Sequence, residues 1–198
     1  MQNNTPENLI LLCGELITEK KFLFSKEDVD FFEFSMKVVL PTGTDVLPLI
    51  IGSNNIDETV EKGAVLSVTG TLTAEEIFSE TDRRLILKVF VTEVYAGETE
   101  ITSGIFLTGN VIKKPYSYPF KDTERAEFEI AVGKDADAIS VPVSVVGEAV
   151  ALTKQLQLGD SVSILGQLHS FEYLDLNDTE TVSKTAYEVE ILTFTAVK

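Results

Sequence analysis

The chain of 198 residues carries 32 acidic side chains against 16 basic ones, a formal net charge of −16. Its 44% hydrophobic content suits one large or two small folded domains and excludes wholesale disorder. The single cysteine, Cys13, excludes an intrachain disulfide and a cysteine-based metal cluster, and the acidity repels polyanions at long range.

In chain order, Met1–Glu7 has no positive side chain, so no secretory signal is expected. The apolar run Leu9–Cys13 is too short for a membrane span and gives Cys13 the character of a small core residue. No membrane association and a cytoplasmic location are therefore expected, and the sequons at Asn3 and Asn177 carry little meaning. A first strand is predicted near Asn8–Ile17, interrupted by Gly14. A loop with Lys20, Lys21, Phe22 and Phe24 follows, then the acidic run Glu27–Asp30. Phe34, Met36, Val38 and Leu40 alternate with Ser35, Lys37 and Val39, the period of a half-buried strand. Pro41–Thr44 reads as a turn into a strand over Asp45–Ile51. Ile56 and Val60, four apart, predict one short helix over Asn55–Lys62. A strand over Gly63–Leu72, a hairpin near Glu80–Asp82 and a strand over Arg84–Tyr95 complete the first set.

Ala96–Ser103 is small and polar and reads as a linker, dividing the chain into domains 1–98 and 99–198. The order then repeats. Ile105–Ile112 matches the first strand with Gly109 in place of Gly14, Glu127–Val132 matches Phe34–Val39, and Val141–Val145 matches Leu47–Ile51. Glu148–Leu158 has neither Gly nor Pro and predicts a helix. In Leu158–Leu168, Val162, Ile164 and Gly166 point one way and Ser161, Ser163 and Leu165 the other. Gly63 and Gly159 are 96 residues apart, as are Gly70 and Gly166. A last strand is predicted over Thr185–Thr195.

Each half is thus strand, strand, strand, short helix, strand, strand. That is the order of the five-stranded Greek-key barrel called the OB-fold, so the predicted class is all-β with two tandem OB-folds. Midstrand glycine suits a barrel, whose strands bend sharply or approach one another closely.

The second half resembles the bacterial single-stranded DNA-binding protein family. The resemblance lies in Leu107-Thr108-Gly109, Phe128–Val132, Val141-Pro142-Val143, Gly147-Glu148-Ala149, Leu158–Leu168, Phe171-Glu172-Tyr173 and Thr185–Val189. The first half keeps Gly14, Phe34, Pro48, Gly63 and Gly70 with their strands. The resemblance implies single-stranded DNA as ligand, no catalysis and no cofactor. Three features depart from the family: there is no tryptophan, Glu172 stands where a basic residue is usual, and no acidic-tipped flexible tail is expected after the last strand. Recruitment of partners through such a tail is therefore not expected. The family's single-domain members gather four OB-folds, so a homodimer is expected, with Ile105, Leu107 or their alternates partly buried between chains.

Sequence-tolerant binding of single strands needs aromatic platforms beside cations. Lys113, Lys114, Tyr116, Tyr118, Phe120 and Lys121, with Arg125 close by, form the densest such set, in the loop between the first two strands of the second half. Phe171 and Tyr173 alternate outward, and Lys20, Lys21, Phe22 and Phe24 occupy the equivalent loop of the first half. Residues 1–100 carry 18 acids against 8 bases, and residues 101–198 carry 14 against 8, which ranks the second half first for DNA. His169, the only histidine, reads as a surface residue without catalytic company. Asp175–Thr179 lacks the glycine of a calcium loop and reads as a hairpin tip. No glycine-rich phosphate loop occurs. A groove bounded by Lys113, Lys114, Lys121 and Arg125 would favour DNA. A continuous acidic face would favour the alternative, an OB-derived scaffold for protein assembly.

Overall fold

The computed structural model describes residues 8–57, 59–78, 83–97, 103–175 and 182–197. Alternation sets its strands: Phe34, Met36, Val38 and Leu40 are all buried, while Lys37 and Val39 between them are exposed. Val162, Ile164 and Leu168 are likewise buried and Leu165 exposed. The first barrel contains β1 (Asn8–Leu16), β2 (Lys21–Lys26), β3 (Val29–Leu40), β4 (Gly43–Gly52), β5 (Val65–Phe78) and β6 (Arg83–Ala96). β3 runs antiparallel to β1, with Gly14 opposite Val38, and to β4, with Ser35 opposite Pro48. β4 pairs with β6 in parallel, β6 pairs antiparallel with β5, and β5 returns beside β1 to close the ring.

The second barrel repeats this with β7 (Gly104–Phe120), β8 (Thr123–Val132), β9 (Ile139–Val146), β10 (Ser161–Asp175) and β11 (Val182–Val197). β7 pairs with β8, β8 with β9, β9 with β11 in parallel, and β10 closes onto β7. Both halves are OB-folds, and the chain is all-β as predicted. Gly70 and Gly166 hold the same place in each. A Cβ on either would come closer than 3.0 Å to a backbone carbonyl oxygen, of Phe90 or Glu190 respectively. The repeated glycines therefore mark a close strand approach.

By spatial contact, Leu11–Ser103 group with His169–Tyr187 into an N-terminal unit. Met1–Ile10, Gly104–Leu168 and Glu188–Lys198 form a C-terminal unit.

Several local expectations are corrected. The helix over Asn55–Lys62 is absent among the described residues; a 3-10 turn at Ser53–Asn55 stands there instead. The Asp57 carboxylate accepts from the Thr59 N–H and hydroxyl at 2.8 and 2.6 Å, a local turn that competes with helix. The second helix is only α1 (Val150–Thr153) after a 3-10 turn at Gly147–Ala149. Its end tightens through Leu156 N–H to Thr153 C=O at 3.0 Å, and Asp160 then ties back the Gln157 N–H at 2.9 Å. Both predicted aromatic loops are strands: Lys21–Lys26 is β2, and Lys113–Phe120 is the outer half of β7. Cys13 is half-buried, its N–H donating to Ser103 Oγ at 3.0 Å. Ile105 and Leu107 are fully buried in the barrel interior, so they present nothing to a second chain. The hairpin near Glu80–Asp82 and most of Asp175–Thr179 lie outside the described residues.

Candidate nucleic-acid interface

On the second barrel, β7 and β8 form a long hairpin that turns at Lys121–Asp122, with Lys121 at φ 52°. Tyr116, Tyr118 and Phe120 recur at every second residue, the spacing that places side chains on one face of a strand. Their partners on β8 are Glu127, Arg125 and Thr123, with register shifts on either side of Lys113. Pro115, which has no N–H to donate, falls in the second shift. The Tyr116 and Tyr118 rings stack at 5.9 Å and 28°, and Tyr116 is 68% exposed. Lys121 Nζ and the Arg125 guanidinium each lie 5.2 Å from the Phe120 ring centre. The predicted set is therefore brought together on one hairpin.

Its cations are not all open to a phosphate. Lys113 Nζ is 2.8 Å from Glu129 Oε1. Arg125 Nε is 3.0 Å from Glu127 Oε1, and its Nη2 donates to Glu188. The Tyr118 hydroxyl also donates to Glu127. Burial, then that hydrogen bond and the Glu127 charge, push the Tyr118 phenol above its ordinary range. Hydrogen bonding to Glu129, then its charge, raise Lys113. Lys114 and Lys121 are exposed, and among the described residues neither forms an ion pair. Cations and carboxylates are interleaved here, neither a basic groove nor a continuous acidic face.

On the first barrel, β2 and β3 form a shorter hairpin, and the acidic run supplies its turn: Glu27 and Asp28 sit at φ 50° and 64°. Phe22 faces Phe32 edge-on at 6.0 Å, and Phe24 stacks on Phe31 at 4.8 Å and 23°. Phe90 from β6 extends the row, 5.5 Å from Phe31. Lys20 Nζ lies 5.2 Å from the Phe32 ring centre. Phe22 and Phe24 are 56% and 43% exposed, so each offers a ring backed by another ring. Phe31, Phe32 and Phe90 escaped the sequence reading. The doublet Phe31-Phe32, directly after a turn and facing Phe22 and Phe24, was the available signal.

Beside this cluster in the N-terminal unit runs an open groove of about 620 Å³. Lys21, Phe24, Pro48, Ile50 and Tyr187 line it, together with the chain Glu33–Lys88–Glu75. Phe171 and Tyr173 on β10 are exposed, as expected. His169 is not a surface residue: its Nδ1 stands 3.0 Å from Oδ2 of the buried Asp45. Asp45 Oδ1 also accepts from the Ser170 N–H at 2.6 Å, and Ser170 Oγ accepts from the Val46 N–H at 3.1 Å. No serine hydroxyl is bound to the imidazole among the described residues, so the trio anchors a strand. No group of His, Cys, Asp and Glu suited to a metal occurs among the described residues, and no helix among them is long and apolar enough to cross a membrane.

Fold and surface together define a tandem OB-fold chain with exposed aromatic sets on the hairpins of both barrels. No family model matches the sequence, and no curated protein matches it. The fold is that of the single-stranded DNA binding protein from Thermus aquaticus. Its wild-type crystal structure matches with a TM-score of 0.75 at 16% identity, covering 96% of this chain and 93% of that one. A deletion variant of the same protein gives 0.74 at 16% identity, covering 96% and 94%. The tandem OB architecture predicted from the repeated element order is thus the architecture observed.

Proposed function

We propose that this chain binds single-stranded DNA without sequence preference and without catalysis, stacking bases on the aromatic sets of both barrels beside local cations. One observation carries the reading: exposed rings at alternate strand positions, each set with a cation over a ring. Base–aromatic stacking is worth about 1–3 kcal/mol per base and is indifferent to base identity. Phe22, Phe24, Tyr116 and Tyr118 are the main platforms. Phe120, Phe171 and Tyr173 add to them, and Lys20, Lys21, Lys113, Lys114, Lys121 and Arg125 meet phosphates. The fold shared with the Thermus aquaticus protein supports this. The second barrel keeps the smaller acidic excess, but carboxylates already stand beside Lys113 and Arg125 there and beside Lys21 on the first barrel, so both barrels are tested alike. A cytoplasmic homodimer supplying four OB-folds goes with the proposal. The apolar contact proposed for it is the exposed Leu165 with its half-buried cross-strand partner Phe106, and light scattering at the monomer mass refutes it.

The test is fluorescence polarisation with labelled oligothymidylate and oligoadenylate. Tyr116→Ala with Tyr118→Ala, and separately Phe22→Ala with Phe24→Ala, should each weaken binding roughly tenfold or more. The slope of log affinity against log salt should be shallow, about −2 to −3 for three or four phosphates at about −0.7 each. A folded parent that binds neither oligonucleotide at about 50 mM salt, the permissive end of the usual range, refutes the reading. The scaffold alternative, favoured by the carboxylates already on Lys113 and Arg125, then takes its place.

A further inference from the structure

The two barrels place a glutamate at the same register position. On the first, Glu33 of β3 lies opposite Ile50, which pairs onward with Phe90. On the second, Glu127 of β8 lies opposite Ser144, which pairs onward with Glu190. Each glutamate grips a well-shielded cation. Glu33 is 2.6 Å from Lys88 Nζ, which also meets Glu75 at 2.7 Å. Glu127 is 3.0 Å from Arg125 Nε, which also meets Glu188. The Lys88 and Arg125 side chains are only 11% and 13% exposed. Burial would lower the pKa of each cation, yet the flanking carboxylates hold both above their ordinary values. In both clusters two carboxylates surround one cation.

We propose that Glu33 and Glu127 are built-in competitors for phosphate, so that a nucleic-acid strand reaches Lys88 or Arg125 only by displacing a carboxylate of the chain itself. The proposal rests on the single-stranded DNA reading and deepens it. A polyanion without bases gains nothing to offset the displaced ion pair. A strand whose bases stack on the neighbouring rings does. Preference for single-stranded nucleic acid over simple polyanions is thereby set by carboxylates on the binding face.

The experiment compares the full chain with Glu33→Gln, Glu127→Gln, the double variant, and Glu15→Gln as a charge-matched control on β1. The probe is labelled oligothymidylate over a salt series. Each cation keeps its second carboxylate, Glu75 or Glu188, so the variants should fold, and far-UV circular dichroism with a melting curve checks this. Each face substitution should tighten binding about fivefold, the worth of one nearby unit charge in water. Each should also steepen the salt slope by about 0.7 for the added phosphate contact. The control should stay within about twofold of the parent, a ceiling for a remote, screened charge. Parent binding with folded face variants equal to or weaker than the control overturns the competitor role and leaves the DNA reading standing. Absence of binding by every folded protein overturns both.

Discussion

Gly166→Ala adds one methyl group at a close approach of β10 to β11. The new Cβ would come within 3.0 Å of the Glu190 carbonyl oxygen and 2.9 Å from Val189 Cγ1. The valine methyl can rotate away, but the oxygen is backbone, so β11 must shift against the core residues Val189 and Ile191. Overpacking of this kind costs about 1–3 kcal/mol. For a barrel of roughly 100 residues each kcal/mol lowers Tm by about 4–8 °C, so a fall on the order of 5–20 °C is expected. Gly166→Val should be worse, because its branched carbon also meets the crowded strand. Gly70→Ala should behave alike, since its Cβ meets the Phe90 carbonyl oxygen in the same way. Thermal and urea unfolding followed by circular dichroism give the values. Alanine variants at both sites with the parent's midpoints would refute the close-approach argument and remove the structural basis of the repeat.

Replacing Glu27-Asp28 by Asn-Gly gives the β2–β3 turn the residues that accept positive φ at both positions. It should stabilise by about 0.5–1 kcal/mol, the left-handed strain relieved less the entropy that glycine adds to the unfolded chain, read as a higher urea midpoint, and an unchanged or lower midpoint refutes the turn assignment. Tyr95, Tyr118 and Tyr187 all have phenols pushed above 10: Tyr95 chiefly by its hydrogen bond to Glu93, the other two chiefly by burial. Since the folded values are raised, the stability these groups lend is complete below pH 10 and lost as pH climbs through them. An absorbance titration of tyrosinate should show three of the five tyrosines ionising late, and five normal titrations would contradict the contacts.

The period-two pattern made most of the fold legible. Phe34–Leu40 and Val162–Leu168 announce their buried faces, and paired glycines 96 residues apart announce the repeat. The same pattern was present at Tyr116, Tyr118 and Phe120, but Pro115, Pro119 and the flanking lysines disguised a strand as a loop. Whether Pro115 ends a strand or sits in a bulge depends on its partner strand, which local sequence does not contain. Ion pairing was equally hidden. Arg125 and Glu188 are 63 positions apart and meet only because β8 and β11 share a barrel.

His169 carries the same lesson into the site itself. Alone in sequence, it had no visible partner, because Asp45 lies 124 residues earlier. That link, with the Ser170 N–H on the same carboxylate, ties His169–Tyr187 to the fold of Leu11–Ser103. Phe171 and Tyr173 follow directly after this anchor, so they share a unit with Phe22 and Phe24 although chain order assigns them to the second barrel. A cut at the 98/99 boundary would separate Asp45 from His169 and Ser170. Two side-chain contacts and two backbone N–H groups would lose their partners, at about 1 kcal/mol per hydrogen bond. Affinities measured on such halves would therefore report the loss of this anchor as well as the loss of a barrel. The contribution of each aromatic set has to be read by substitution in the intact chain.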